Sequence, residues 1–227
     1  MTRVFAHRGA AHQAPENSIE AFVDARRLGA DGVELDVRVS VDGAFVVHHD
    51  AQIDAVGPIA SARVVDLPQA VPLLSEALEA CQGMTVNVEI KNDPNEPGFD
   101  PTRSVAAHVA EEILELFSGW DILISSFDFD CLRAVQRVDP TMAVGYLLGF
   151  GVDPFSELQR VVEAGVGAIH PFVLGVTKAF VDTAHGEGIA VNTWTVNAAH
   201  DLEKMQDFGV DVVITDDVAL ARTIIKS

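Results

Sequence analysis

Short runs of Val, Ile, Leu and Phe alternate along the whole chain with longer stretches whose apolar residues recur at helical spacing. The short runs predict strands near residues 3–7, 31–37, 84–90, 121–125, 142–148, 166–170, 189–196 and 211–215. Helix starts are expected between them. The signals are Glu16-Asn17-Ser18 ahead of Ile19, Ser75-Glu76 ahead of Leu78, Asp128 ahead of Leu132, and Asn197 ahead of Leu202. Gly29, Gly188 and Gly209 fall where helices would hand back to strands, because glycine takes the left-handed conformation that ends a helix.

Strand and helix alternating in this way imply parallel strands joined by crossovers, closed as a barrel or left as an open doubly wound sheet. Eight repeats favour a (β/α)8 TIM barrel, and the chain of 227 residues is expected to form one such domain over 1–227. Against a dinucleotide-binding sheet, His7-Arg8-Gly9-Ala10 stands where a glycine-rich phosphate loop would follow the first strand. One insertion breaks the alternation. After the second strand, Ser40-Val41-Asp42-Gly43 leads into Ala44-Phe45-Val46-Val47-His48, a short β-hairpin with an Asp-Gly turn. The stretch 51–72 carries Gly57, Pro58, Pro68 and Pro72 and predicts loops over one barrel end.

Charge narrows the possible partners. The formal net charge of -19 disfavours nucleic-acid backbones and anionic membrane surfaces, whose electrostatic capture needs clustered Lys and Arg. A small-molecule substrate is expected, without membrane insertion. An acidic protein handling phosphate must also supply local positive charge from a few basic residues or a bound cation. Cys81 and Cys131, far apart, suggest buried thiols rather than a disulfide or a zinc site. No apolar run reaches signal or membrane-span length, so cytoplasmic residence is the expectation.

In a barrel, reactive groups come from the C-terminal ends of strands and the loops after them. His7-Arg8 ends the first strand, Glu34 and Asp36 lie on the second, His48-His49-Asp50 ends the hairpin run, and Glu89-Ile90-Lys91 ends the third. Alternation points Glu34 and Asp36 to one face, and Glu89 should lie at similar height on a neighbouring strand, roughly 5 Å away. Three converging carboxylates need a shared proton, basic partners or a cation. An all-oxygen set suits a hard ion, Mg²⁺ or Ca²⁺, better than zinc. The competing reading is a set of rim carboxylates bridged to Arg8, Arg38 and Lys91.

His7 and His49 are the candidate proton carriers, since imidazole gives and takes protons near neutral pH. His48 points to the other face and receives no role. His12, His108, His185 and His200 are expected on the surface, and His170 sits on the same rim without a visible partner. Arg8 and Lys91 could contact phosphate or form ion pairs with Glu16 or Glu89. Trp194 is either pocket wall or core.

These residues fall within motifs that resemble the glycerophosphodiester phosphodiesterase family, a phosphatidylinositol phospholipase C-like barrel. The matching segments are His7-Arg8-Gly9, Pro15-Glu16-Asn17-Ser18, Gly29 through Val37, Asp42-Gly43, Val47-His48-His49-Asp50, Glu89-Ile90-Lys91, Ser126-Phe127, Trp194 through Asn197, and Gly209-Val210-Asp211 through Ile214-Thr215-Asp216. The resemblance implies hydrolysis of glycerophosphodiesters to sn-glycerol 3-phosphate and an alcohol. It implies a metal on Glu34, Asp36 and Glu89, with His7 and His49 as acid–base pair and Arg8 and Lys91 at the phosphate or metal. Trp194 would line the glycerol side, and Glu16 and Asn17 would orient His7 and Arg8. The chain departs from the family after Asp50, where an Arg-Thr-Thr run and a longer insertion are usual, and at Ser18 in place of threonine. Three other classes compete: a Schiff-base enzyme using Lys91, a silent binder of phosphate ligands, and a phospholipase or sphingomyelinase D-like enzyme on the same fold. Neighbouring carboxylates would raise the Lys91 pKa and so oppose the first.

Overall fold

The computed structural model describes residues 1–226. In chain order its elements are β1 (Arg3–His7), α1 (Ile19–Arg27), β2 (Gly32–Val39), β3 (Phe45–Val47), β4 (Gln52–Ile53), β5 (Gly57–Pro58), α2 (Leu74–Ala80) and β6 (Thr85–Ile90). They continue with α3 (Ser104–Leu116), β7 (Ile122–Ser126), α4 (Phe129–Val138), β8 (Ala143–Leu147), α5 (Pro154–Glu163), β9 (Ala168–His170), α6 (Lys178–Gly186), β10 (Ala190–Thr193), α7 (Ala199–Phe208), β11 (Val212–Thr215) and α8 (Val218–Ile224).

Eight parallel strands pair in the order β1, β2, β6, β7, β8, β9, β10, β11, and β11 pairs back to β1. The closed sheet is the expected TIM barrel. Its strands are buried on both faces, so runs such as Gly32-Val33-Glu34-Leu35-Asp36-Val37 lack outward polar alternation. Outward residues, among them Val33, Leu35, Val86, Val88 and Ile124, join the helices in one large core. Phe5, Val212 and Ile214 form a second cluster, with Trp194 packed against it. Gly32 is required there, because an added Cβ would stand 2.6 Å from the Phe5 ring.

Helix starts follow side-chain capping, in which an oxygen takes up an otherwise free backbone N–H. Ser18 accepts from Ala21, Asp128 from Asp130, Thr177 from Phe180 and Asp217 from Leu220. Two expected starts differ. Helix α2 begins at Leu74, one residue before Ser75, with Glu76 accepting the Leu73 N–H at 2.9 Å. Ala198 rather than Asn197 precedes α7, because the Asn197 side chain is engaged elsewhere.

The hairpin forms as expected: β3 lies antiparallel to β2, with Val37 opposite Val47 and Val39 opposite Phe45. The segment after it is more ordered than expected, holding the small β4–β5 ladder and two short 3₁₀ turns at Ile59–Ser61 and Val64–Asp66. Cys81 and Cys131 are free and buried. Among the described residues no helix is long and apolar enough to cross a membrane.

Candidate active site

Register brings the rim residues together. Glu34 lies opposite His7 on β1 and opposite Asn87 on β6, while Asp36 lies opposite Glu89. One oxygen from each of Glu34, Asp36 and Glu89 falls within 4.8 Å of the others, and all three residues are buried. The pair spacing on β2 and the neighbouring acid on β6 therefore give the convergence expected from strand geometry.

Burial of these acids has an electrostatic cost. Burial raises the Glu34 pKa to about 8, with the Asp36 charge pushing the same way. Burial also raises Glu89, against the opposing pull of Lys91. Asp36 moves down despite its burial, held by the charges of Lys91, Arg8 and His49. Lys91 Nζ lies 2.8 Å from Glu89 and 3.4 Å from Asp36, and Arg8 Nε lies 3.3 Å from Asp36. These are the ion pairs of the competing reading, and they leave Glu34 least compensated. Its Oε1 is buried without a hydrogen-bond partner, while Oε2 accepts the Arg8 backbone N–H at 3.0 Å. An all-oxygen set with an unpartnered buried oxygen fits a hard divalent cation.

Both candidate histidines are gripped at Nδ1 by a carboxylate. His7 Nδ1 pairs with Asp216 Oδ1 at 2.6 Å, and His49 Nδ1 pairs with Asp50 Oδ1 at 2.7 Å. Each ring thus keeps Nε2 for other partners; that of His7 lies 4.0 Å from Glu34. Burial opposes the charged form of His7, but the Asp216 hydrogen bond and the Glu34 charge outweigh it and raise the pKa. Burial and then the Lys91 charge lower that of His49.

Sequence reasoning missed part of the support behind these groups. Asn197 donates to Asp216 Oδ2 at 2.6 Å and accepts the Asp216 backbone N–H at 2.9 Å, fixing the acid that grips His7. Arg38 does not balance the carboxylate cluster. Its Nε donates to the His49 carbonyl at 2.8 Å, and its Nη2 donates to Glu96 at the same distance. Glu16 holds Arg8 through Nη1, as the resemblance implied. Asn17 holds Arg8 through its backbone N–H, which donates to the Arg8 carbonyl at 2.9 Å, while its side chain holds Asp36, donating to Oδ2 at 2.8 Å and accepting the Asp36 backbone N–H at 3.3 Å. Arg8 and Asn17 both have φ of +56°, a left-handed backbone uncommon outside glycine that here turns their groups toward β2.

A cavity of about 140 Å³ opens among these groups. Its polar lining, including His7, Arg8, Glu34, His49, Glu89 and Lys91, comes from β1, β2, the hairpin and β6. Its apolar lining is Phe127, Leu147, Trp194 and Ile214, from the other half of the barrel circuit. Trp194 is thus pocket wall, with its indole N–H donating to the His170 carbonyl at 2.9 Å. His170 lies deeper, fully buried, with Nε2 2.9 Å from the Asn192 amide nitrogen. An added Cβ at Gly145 would collide with this ring. The His48 ring bonds through Nδ1 to the Asp50 carbonyl, and His12, His108, His185 and His200 are exposed, as expected.

The family model described as "Glycerophosphoryl diester phosphodiesterase family" matches residues 7–220. A glycerophosphodiester phosphodiesterase of Caldanaerobacter subterraneus is 32% identical, over 95% of this chain and 94% of its own length. One of Bacillus altitudinis is 29% identical, over 95% of each. Among solved structures, an Oleispira antarctica phosphodiesterase in complex with the product sn-glycerol-3-phosphate is similar at a TM-score of 0.88. It is 25% identical, over 100% of this chain and 98% of that one. A glycerophosphodiester phosphodiesterase from Thermotoga maritima is similar at 0.83, with 28% identity over 99% of both. On the strength of this full-length match, the chain belongs to the glycerophosphoryl diester phosphodiesterase family.

Proposed function

We propose that this chain hydrolyses glycerophosphodiesters to sn-glycerol 3-phosphate and an alcohol, with His7 and His49 as the acid–base pair and a divalent cation on Glu34, Asp36 and Glu89. The observation that carries the reading is the convergence of three buried carboxylates beside two histidines whose Nδ1 atoms are already engaged. Bound there, Mg²⁺ or Ca²⁺ would polarise a phosphate oxygen and offset its charge.

The chain's own groups then divide the remaining work. One histidine takes the nucleophile's proton through Nε2, and the other delivers a proton to the departing alkoxide. The nucleophile is water or the substrate's glycerol 2-hydroxyl; both routes use the same pair. Arg8, fixed by Glu16, and Lys91, fixed by Glu89 and Asp36, bring positive charge to the cavity wall for the phosphate. Burial acts to lower the Lys91 pKa, but Glu89 and Asp36 raise it further. It stays a cation, which argues against a Schiff-base role.

The test is release of glycerol 3-phosphate from glycerophosphocholine and glycerophosphoethanolamine by metal-stripped protein, before and after adding Mg²⁺, Ca²⁺ or Mn²⁺. Metal should restore activity in the native protein, while His49→Ala should retain less than about one-hundredth of it. Full activity in chelator, or in His49→Ala, would overturn the mechanism.

A further inference from the structure

The two histidines of the proposed acid–base pair are held very differently. His7 closes strand β1 inside the sheet, opposite Glu34, and the side chain of its partner Asp216 is only 27% exposed and tied to Asn197. His49 lies two residues past the end of β3, outside any ladder, and the side chain of its Nδ1 partner Asp50 is 73% exposed. A surface carboxylate one residue along the chain fixes the imidazole tautomer but does not fix where the ring stands. Placement matters for such a group, since a displacement of about 1 Å costs roughly a hundredfold in rate.

The firm hold on His49 is on its backbone. His48 donates its N–H to the Asp36 carbonyl at 3.0 Å, and the His49 carbonyl accepts from both Nε and Nη2 of Arg38, the former at 2.8 Å. Arg38 is 7% exposed and follows Glu34 and Asp36 at every second position of β2. One face of one strand therefore carries two of the three clustered carboxylates and the anchor of His49. The far side of the guanidinium is held by Glu96, whose carboxylate accepts from Nη2 at 2.8 Å. Glu96 belongs to the connection between β6 and α3, which packs closely on the segment after the hairpin: a Cβ added at Gly98 would stand 2.8 Å from the Ala60 side chain. Ile59, beside Ala60, donates in turn to the Ala51 carbonyl at 3.0 Å, two residues from His49. A buried arginine paired with one carboxylate adds little stability that a well-packed apolar side chain would not, so stability alone does not account for it.

We infer that Arg38 and Glu96 are positioning residues for His49: Glu96 orients the guanidinium, and the guanidinium sets the place from which the imidazole reaches the phosphodiester. This rests on the acid–base reading above and adds two residues to it, neither of which belongs to the wall of the 140 Å³ cavity. Glu96 does line an adjoining, larger cavity of about 630 Å³, which shares Glu89, Lys91 and Phe127 with the first. A direct contact to the departing alcohol is therefore the rival role for Glu96, and its kinetic signature is an effect on KM that varies with the alcohol. Positioning has another signature. The loss is in kcat, is the same for every alcohol, and vanishes once His49 has no ring to place.

The experiment measures kcat and KM on glycerophosphocholine and glycerophosphoethanolamine, with the protein loaded with whichever of Mg²⁺, Ca²⁺ or Mn²⁺ restores most activity. The variants are Glu96→Ala, Glu96→Gln and Arg38→Lys, each alone and combined with His49→Ala, with circular dichroism and thermal unfolding of all. Glu96→Ala should lower kcat about tenfold on both substrates, with KM and the half-saturating metal concentration within about twofold of native. Glu96→Gln keeps an oxygen acceptor for Arg38 and should recover to within about threefold of native. Arg38→Lys replaces a two-pronged donor by a point charge and should lose more than about tenfold. In the His49→Ala background none of the three should cost more than about twofold further. A full second loss in that background overturns the inference, as does a change confined to KM or one that differs between the two alcohols. Native rates in both Glu96→Ala and Arg38→Lys overturn it as well. All these outcomes leave the phosphodiesterase reading standing. Native rates in His49→Ala alone overturn the acid–base reading, and this inference with it.

Discussion

Asp216 illustrates how a residue can control the site without facing the phosphate. Its carboxylate takes His7 Nδ1 at 2.6 Å and is itself held by Asn197, so imidazole tautomer and ring direction are set from behind. Asp216→Asn keeps the shape but can donate where an acceptor is needed. The expected result is a fall in kcat of about a hundredfold with little change in KM and an altered pH profile, measured by steady-state kinetics. A change confined to KM would show that Asp216 serves substrate binding instead. The convergence of His7, Arg8, Glu34, Asp36, Glu89 and Lys91 was legible because strand ends in a barrel form one rim. The same rule applied to the last strand would have flagged Asp216. Asn197 was obscured because a polar residue between a strand and a helix has two physical uses, capping and reaching across the rim. The bond of Asn17 to Arg8 was foreseen, but its side chain's second partner, Asp36, was not, since sequence spacing does not reveal a left-handed turn at that position.

At the scale of elements, the apolar runs located all eight barrel strands but overran some of their ends. Val166 still donates to Val161 and Ile189 to Ala184, closing the preceding helices, so β9 and β10 begin only at Ala168 and Ala190. The chain also leaves the β10 ladder at Trp194, whose N–H turns to Pro171. The Asp-Gly signal located the hairpin because a left-handed glycine, φ +83° at Gly43, is part of its turn. Within the barrel, β9 and β10 bury His170 against Asn192, and burial lowers its pKa to about 3. The folded protein therefore refuses a proton that the unfolded chain accepts below about pH 6.5. This contribution to stability is full above that pH and is lost as pH falls from about 6.5 toward 3. Urea unfolding across this range should show stability dropping with acid, and His170→Gln should flatten that slope; an unchanged slope would exclude His170 as the group responsible.

For the molecule as a whole, composition pointed to a local need for positive charge, and Arg8 and Lys91 place two cations in the cavity lining of a chain of net charge -19. The surrounding field still repels an anionic phosphodiester on approach. Raising salt from low to physiological strength at fixed metal should therefore raise kcat/KM several-fold for a glycerophosphodiester with an uncharged alcohol, and less than about twofold for a zwitterionic one. Equal responses would mean that the long-range field plays no part in capture.

The strand circuit itself has a further consequence. Each strand sits beside its sequence neighbour around the ring, and β1 pairs with β11, with Arg3 opposite Val212 and Thr2 donating to the Val210 carbonyl at 2.8 Å. Helix α8 then brings the chain back toward the same pole, away from the reacting groups, where Arg222 pairs at 2.6 Å with Asp31, the acid that accepts the Val4 N–H at the start of β1. A circularly permuted gene, with the two ends joined and a new opening in the turn at Asp139–Thr141 between α4 and β8, would preserve every strand pairing. The catalytic rim is in this sense a property of a ring and has no first or last member.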